Sequence, residues 1–150
     1  MILSTRGLHV TQQDVVRRAF GDLVDVPADA ETVAVSLNKW ASQLNGQNGR
    51  FNATVGIGPP PGDLLVKSLS SGIPVIVGCS SPDSGVGHAI VITAVIYEET
   101  PAGLHIESIM VRDPDPAWSA DQGKRKLTSE QFAHIEMYFL ITNLGGPSKP

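Results

Sequence analysis

The hydrophobic positions follow a helical spacing in the first part of the chain and a strand-like spacing in the second. One stripe at i, i+4, i+7 and i+11 consists of Val33, Leu37, Trp40 and Leu44. This spacing puts all four side chains on one face of a helix, and Gly46 is a residue at which that helix would end. The stripe therefore predicts a helix that buries its apolar face, Trp40 included.

Two short helices are predicted from capping patterns. At 11–14 and at 128–131, a threonine is followed three residues later by a side chain that can bond back to its backbone N–H. The first pattern predicts a helix that continues to about Phe20 and ends at Gly21. The second predicts a short helix over 129–135.

The middle of the chain is predicted to be a loop followed by a third helix. Gly, Asn and Pro dominate residues 45–62, a composition typical of a surface loop. Asp63 then stands where it could cap a short helix over 64–69, which would close near Gly72.

Strand-like runs of β-branched and other apolar residues fill most of the remaining chain. They are residues 73–77, 88–97, 104–112 and 137–141, with a hairpin turn at 100–103. The predicted order is three helices, three strands, a helix and a strand. This order indicates an α+β fold in which N-terminal helices are followed by an antiparallel sheet.

The composition indicates one globular domain. With 150 residues, of which 41% are hydrophobic and 17% charged, the chain can build one core but not two of ordinary size. We expect the domain to cover residues 1–144 and residues 145–150 to form a flexible tail.

Charge and hydropathy exclude several classes of partner. The net charge of -4 argues against a general nucleic-acid binder, and we expect the basic triplet 124–126 to be solvated in a loop. The longest apolar run, 89–97, is about half of a membrane-spanning helix. No signal peptide is visible in residues 1–6. We expect a soluble protein, either cytoplasmic or exported without a cleaved signal.

His88 and Asp113 form the most informative pair of residues. His88 opens the longest apolar strand, and Asp113 follows the strand that is predicted to pair back along it. The carboxylate can then hold one imidazole nitrogen and leave the other as a base. Each residue also has an ordinary explanation: His88 as a hydrogen-bonded residue at a sheet edge, and Asp113 as a turn former before Pro114. Because the two residues stand at the ends of neighbouring predicted strands, the arrangement of a histidine base with an orienting carboxylate is favoured.

Metal and cofactor sites are not expected. A single cysteine, Cys79, excludes a Cys-rich zinc site and an internal disulfide framework. No metal-ligand spacing links the remaining histidines, which are His9, His105 and His134. His88 with Asp113 and Asp115 would give only a thin set of ligands.

Four segments, in this order, resemble the papain-like cysteine peptidases, in particular the bacterial bacteriocin-processing and effector peptidases. The segments are 7–14, 69–78, 87–92, and the Asp-Pro strand end at 111–114 with the helix start at 127–128. The resemblance runs from about residue 1 to 144. It implies a papain-like fold, a hydrolase with a peptide or protein substrate, His88 as general base and Asp113 as its orienting residue.

The resemblance also implies a missing nucleophile. In this family the catalytic cysteine begins a helix, and a glutamine a few residues earlier completes the oxyanion hole. The resemblance places Met1 inside that helix, so both residues are absent from the sequence. The domain is therefore interpreted as N-terminally incomplete and inactive as given. If the gene extends upstream of Met1 we expect an active peptidase; if not, a pseudo-enzyme or remnant.

No other nucleophile in the sequence fits well. Cys79 follows a strand and has no helix N-terminus to lower its pKa, so a buried or half-buried inert thiol is the favoured interpretation. The loop serines Ser80, Ser81 and Ser84 lack an elbow motif. Trp118 either anchors its loop or walls a substrate site beyond Asp113.

Two functional hypotheses remain open from the sequence. The first is the peptidase domain without its nucleophile, and the second is a non-catalytic peptide- or protein-binding module that uses the His88 and Asp113 groove. The helix that begins with the catalytic cysteine is central in the papain-like fold, and its loss would expose apolar surface. A homo-oligomer is the form that would cover this surface.

Overall fold

The computed structural model describes residues 9–24, 28–41, 51–80, 87–115 and 120–143. Four helices lie in these residues: α1 (Gln12–Phe20), α2 (Ala30–Ala41), α3 (Gly62–Ser70) and α4 (Ser129–Ala133). Six strands accompany them: β1 (Phe51–Ile57), β2 (Val75–Ser80), β3 (Gly87–Thr100), β4 (Gly103–Arg112), β5 (Lys124–Leu127) and β6 (Ile135–Asn143).

The capping patterns form the caps that the sequence predicts. At α1, the Thr11 hydroxyl accepts a hydrogen bond from the Asp14 N–H (3.1 Å), and the Asp14 carboxylate accepts one from the Thr11 N–H (2.9 Å). α1 ends at Gly21, whose φ of 83° is left-handed. Thr128 and Gln131 make the same reciprocal pair at α4. Hydrogen bonds between side chain and backbone within the first turn therefore determine where both helices begin.

The apolar stripe forms the buried face of α2. Leu37 and Trp40 are buried, and the Arg18 guanidinium lies 4.3 Å from the centroid of the Trp40 ring. The predicted end of this helix, with Leu44 and Gly46, lies outside the described residues.

Residues 45–62, predicted to be a loop, contain strand β1. Ala53 of this strand is buried, and the Asn38 side chain bonds both its N–H (2.8 Å) and its carbonyl oxygen (3.0 Å). The prediction was wrong because Gly and Asn obscure the alternation of the strand, and because a side chain distant in sequence satisfies part of its backbone. With β1 before α3, the predicted run of three helices is interrupted.

Two smaller predictions also need correction. Asp63 lies in the first turn of α3 and does not cap it, since Pro61 is the N-cap and makes no side-chain capping bond. Residues 124–126, expected in a solvated loop, belong to β5 at the edge of the sheet. A strand of four residues is too short for an alternating pattern to stand out.

The strands form one sheet in the order β1-β6-β2-β3-β4-β5. β2 runs antiparallel to β3 and β6, and β4 runs antiparallel to β3 and β5. The fold is therefore mixed α/β with an antiparallel sheet, as the sequence predicts at this coarse level.

The chain divides into two compact units, one of residues up to Val55 and from Ile141 onward, the other Gly56–Leu140. The core of Gly56–Leu140 consists of Leu65, Val75, Val77, Ile90, Ile92, Ile109, Val111, Leu127 and Ile135. Alternate residues of a strand share a face. By this alternation, the face that carries the core also carries Cys79, His88, Asp113 and Arg125. A single domain over 1–144 stays a prediction.

Candidate active site

His88 and Asp113 lie in contact at one end of the sheet. His88 Nε2 is 2.7 Å from Asp113 Oδ1. The contact follows from topology: β3 and β4 are antiparallel neighbours, with Val91 opposite Arg112, so the start of one strand meets the end of the other. The structure thus brings together the two residues that the sequence singled out, and their catalytic roles stay predictions.

Asp113 is buried and fully engaged. Its side chain is 2% exposed, and Oδ1 also accepts a hydrogen bond from the Asp115 N–H (3.0 Å). Oδ2 lies 2.8 Å from both Nε and a terminal nitrogen of Arg125. Burial alone would raise the pKa of Asp113, but the Asp115 N–H, the Arg125 guanidinium and the His88 ring together hold it below its ordinary value. The carboxylate is therefore ionised at neutral pH.

Arg125 is the site residue that the sequence analysis missed. It belongs to the basic triplet that was expected to be solvated, yet its side chain is only 12% exposed. On β5 it stands opposite Val111, and it shares a face with buried Leu127. The sequence signal that Arg125 faces inward is its spacing of two residues from Leu127. This signal is weak in a strand of only four residues.

The Asp113 backbone is held by the residues that lead into β5, among which 121–123 lie against it. The Asp113 N–H donates to the Gly123 carbonyl oxygen (2.7 Å), and Arg112 donates to the carbonyl oxygens of Asp121 (3.3 Å) and Gln122 (2.9 Å). Gly123 has a φ of 75°, and a Cβ there would clash with the Asp113 carbonyl oxygen. Only glycine fits this position, so the turn at 121–123 holds the aspartate backbone in place.

The second ring nitrogen of His88, Nδ1, is not used by the contact to Asp113. The His88 side chain is 37% exposed, and Nδ1 makes no hydrogen bond within the residues that the structure describes. If Nε2–H donates to the carboxylate, the neutral ring carries its lone pair on Nδ1. The arrangement can accept a proton at Nδ1 and stabilise the imidazolium through Asp113.

Cys79 lies beside this pair without bonding to it. It stands opposite His88 in the β2–β3 register, so the two side chains share a face. Neither residue makes a hydrogen bond to the other in the described part of the chain. Burial raises the pKa of the Cys79 thiol; Arg125 opposes this rise, while Asp113 and Glu136 add to it. Such a thiol is a weak nucleophile.

Other candidates from the sequence take no part in the described site. Ser81, Ser84 and Trp118 lie outside the described residues. His134 Nδ1 lies 2.8 Å from the Glu130 carbonyl oxygen. Within the described part of the chain, no three His, Cys, Asp or Glu side chains converge as a metal site. Within the same part of the chain, the helices are too short or too polar to cross a membrane.

Comparison with known proteins yields a likeness of fold without a likeness of sequence. No protein-family model and no curated protein sequence matches the chain. The peptidase domain of Streptococcus ComA, a bi-functional ABC transporter involved in a quorum sensing pathway, superposes with a TM-score of 0.52 over 93% of this chain and 83% of that one. The chain has a peptidase-like fold. Sequence identity to that domain is 11%.

A second solved structure is similar to a smaller part of this chain. The peptidase domain of Streptococcus mutans ComA covers 73% of each chain at 14% identity, with a TM-score of 0.42.

Proposed function

We propose that this domain is a papain-like cysteine peptidase domain in which His88 is the general base and Asp113 its orienting residue. The observation that carries the proposal is the 2.7 Å contact from His88 Nε2 to a buried, ionised carboxylate. The likeness to the ComA peptidase domain supports the fold in which such a pair would work.

The proposed chemistry uses both ring nitrogens of His88. Nδ1 takes the proton of a cysteine thiol, and the thiolate attacks the carbonyl carbon of a peptide bond. The imidazolium, held at Nε2 by Asp113, then returns the proton to the leaving amine. A water molecule, deprotonated by the same nitrogen, hydrolyses the thioester and restores the thiol.

We propose that the required thiol is not Cys79 and that the 150-residue chain is inactive alone. Cys79 is the only cysteine of the sequence, and it lies on a strand with a raised pKa and no hydrogen bond to His88 in the described part of the chain. A reactive thiol is instead found beside a helix N-terminus or a cation that lowers its pKa.

The test compares two proteins for peptide cleavage by mass spectrometry. One is the 150-residue chain, and the other is extended by any coding sequence that continues in frame upstream of Met1. We expect an encoded cysteine and glutamine, cleavage by the extended protein alone, and loss of cleavage in its His88→Ala variant. Cleavage by the short chain that disappears with Cys79→Ser would overturn the assignment of the nucleophile. Cleavage by the extended protein that survives His88→Ala would overturn the role of His88.

A non-catalytic peptide- or protein-binding module is the second candidate. It is favoured by the same observation that Cys79, the only thiol of the chain, is poorly activated. An upstream sequence without a cysteine, together with peptide binding that weakens in His88→Ala, would support this function over hydrolysis.

A further inference from the structure

We infer that Arg125 is a positioning residue of the proposed site, which fixes the Asp113 carboxylate so that one oxygen always faces His88. This inference deepens the proposed function and rests on it for its catalytic meaning. The geometry itself is a property of the 150-residue chain.

The two carboxylate oxygens of Asp113 have separate partners. Oδ2 receives two contacts from Arg125, at 2.8 Å each, through Nε and a terminal nitrogen. Oδ1 is thereby left for His88 Nε2 at 2.7 Å and the Asp115 N–H at 3.0 Å. Rotation of the carboxylate would break the contacts between Oδ2 and Arg125. Arg125 therefore fixes the direction in which Oδ1 points by holding the other carboxylate oxygen.

Arg125 is itself held in place on its other side. Its third nitrogen donates to Gln131 Oε1 (3.0 Å), the oxygen that also accepts the Thr128 N–H (3.2 Å) in the cap of α4. The Gln131 N–H in turn donates to the Thr128 hydroxyl (3.1 Å). A continuous series of hydrogen bonds thus runs from the start of α4 through Arg125 and Asp113 to His88.

The shape of arginine matters here as well as its charge. A planar guanidinium can present Nε and one terminal nitrogen to the carboxylate while the third nitrogen faces the glutamine. Lysine has one charged nitrogen and cannot fill both places with the same geometry. We therefore expect lysine to restore the charge and not the orientation.

Charge balance is the second consequence of this arrangement. The Asp113 and Arg125 pair is neutral, so His88 faces an oriented acceptor whose charge is compensated. Among the residues that the structure describes, the other titratable groups that act on this face are Cys79 on β2 and Glu136 on β6, with Asp115 following Asp113 in the chain. Without Arg125, Asp113 would lose the guanidinium that compensates its charge, and ionisation of Asp113 would become less favourable.

The experiment follows two NMR signals of the 150-residue chain without any substrate. The first is the His88 ring Nε2–H proton, which exchanges slowly when a buried carboxylate accepts it, and which His88→Gln identifies by its loss. The second is the Asp113 carboxyl carbon, followed against pH. The variants are Arg125→Met and Arg125→Lys, with Lys126→Met as control because Lys126 is the exposed next residue of β5.

In Arg125→Met we expect the ring N–H to exchange at least about tenfold faster and the pKa of Asp113 to rise. Lys126→Met should leave both signals unchanged. Arg125→Lys should keep the pKa of Asp113 below that of Arg125→Met while the ring N–H still exchanges faster than in the parent chain.

Unchanged ring N–H exchange and an unchanged pKa of Asp113 in folded Arg125→Met would overturn the inference. If Arg125→Met does not fold, Arg125→Lys decides: exchange equal to the parent chain would overturn it. These outcomes are independent of cleavage. An extended protein that fails to cleave peptides would remove the proposed function and leave the NMR result in place.

Discussion

At Asp113, a histidine and an arginine share one buried carboxylate. The side chain is almost inaccessible, and each oxygen has its own charged or chargeable partner. Burying an ion is costly unless it is paired and hydrogen-bonded, so removal of any member leaves the others poorly solvated. The site is therefore expected to contribute to stability as well as to orient His88.

Asp113→Asn should lower the free energy of unfolding by about 3 kcal/mol at pH 7, because Arg125 would remain buried without its counter-charge. Urea unfolding monitored by circular dichroism measures this. Asp63→Asn is the matched control, since Asp63 is exposed and makes no capping bond, and it should change stability by less than about 0.5 kcal/mol. Equal effects of the two substitutions would show that the Asp113 charge is not needed for the fold.

The difference between the parent chain and Asp113→Asn should shrink in acid. The pKa of Asp113 is lowered in the folded state, so the ionised form stabilises the fold above the unfolded pKa of about 3.9. This contribution is lost as the pH falls through the lower, folded pKa. Asp14 and Asp29, whose pKa values are also lowered, are present in both proteins and cancel. A difference that stays constant from pH 7 to pH 3 would contradict the assignment.

At the scale of single residues, the sequence predicted the contact between His88 and Asp113 and did not predict that Arg125 binds the same carboxylate. His88 and Asp113 were found because strand ends can be located from apolar runs and a hairpin turn. Arg125 was not found, since three consecutive basic residues give no sign of which one turns inward. The pairing of β5 with β4 determines that Arg125 faces inward, and this pairing is a tertiary contact that local sequence does not reveal.

Among the secondary-structure elements, helices with reciprocal caps were predicted well and the short strands were not. The cap of α4 depends on residues within one turn, so local sequence was sufficient. β1 and β5 depend on partners distant in the chain, including Asn38 for β1.

The two proposed caps should differ in a mutational test. Thr128→Ala should cost about 1 kcal/mol of unfolding free energy, because the Gln131 N–H loses its acceptor at the start of α4. Asp63→Ala should cost less than that, since Pro61 is the N-cap of α3. Chemical denaturation of both variants measures the order. A larger loss for Asp63→Ala would mean that its charge matters more to α3 than the capping bond matters to α4.

The turn at 121–123 should depend on Gly123 for two separate reasons. Both Gly123 and Gly72 have a positive φ, at 75° and 70°, so alanine at either position should cost about 1 kcal/mol. Only at Gly123 would the new Cβ clash with the Asp113 backbone. We expect Gly123→Ala to cost at least about 1 kcal/mol more than Gly72→Ala.

The same comparison has a local readout at the site. Gly123→Ala should also shift the NMR signals of Asp113 and His88, while Gly72→Ala should leave them in place. Similar stability losses in the two variants, with unchanged site signals, would show that the turn does not position Asp113.

At the scale of the whole molecule, the sequence predicted the fold in its coarse outline. The mixed α/β architecture and its likeness to a peptidase domain were predictable from the order of elements and of motifs. The interruption of the helices by β1 was not, because its glycines and asparagines are typical of loops. Expectations about nucleic acid, self-association and compartment stay predictions.

The proposed function depends on which nitrogen of His88 holds the proton. A base that is oriented by Asp113 must carry its proton on Nε2 and leave Nδ1 open, and both deprotonation steps of the proposed hydrolysis start from this form. Loss of the carboxylate in Asp113→Ala should let the neutral ring populate both forms.

The most direct measurement is therefore the ¹⁵N NMR spectrum of the His88 ring at a pH where imidazole is neutral. We predict a protonated Nε2 and an unprotonated Nδ1 in the parent chain, and a mixture in Asp113→Ala. A ring protonated on Nδ1, or the same mixture in both proteins, would contradict the assignment of His88 and Asp113 as a base and its orienting residue.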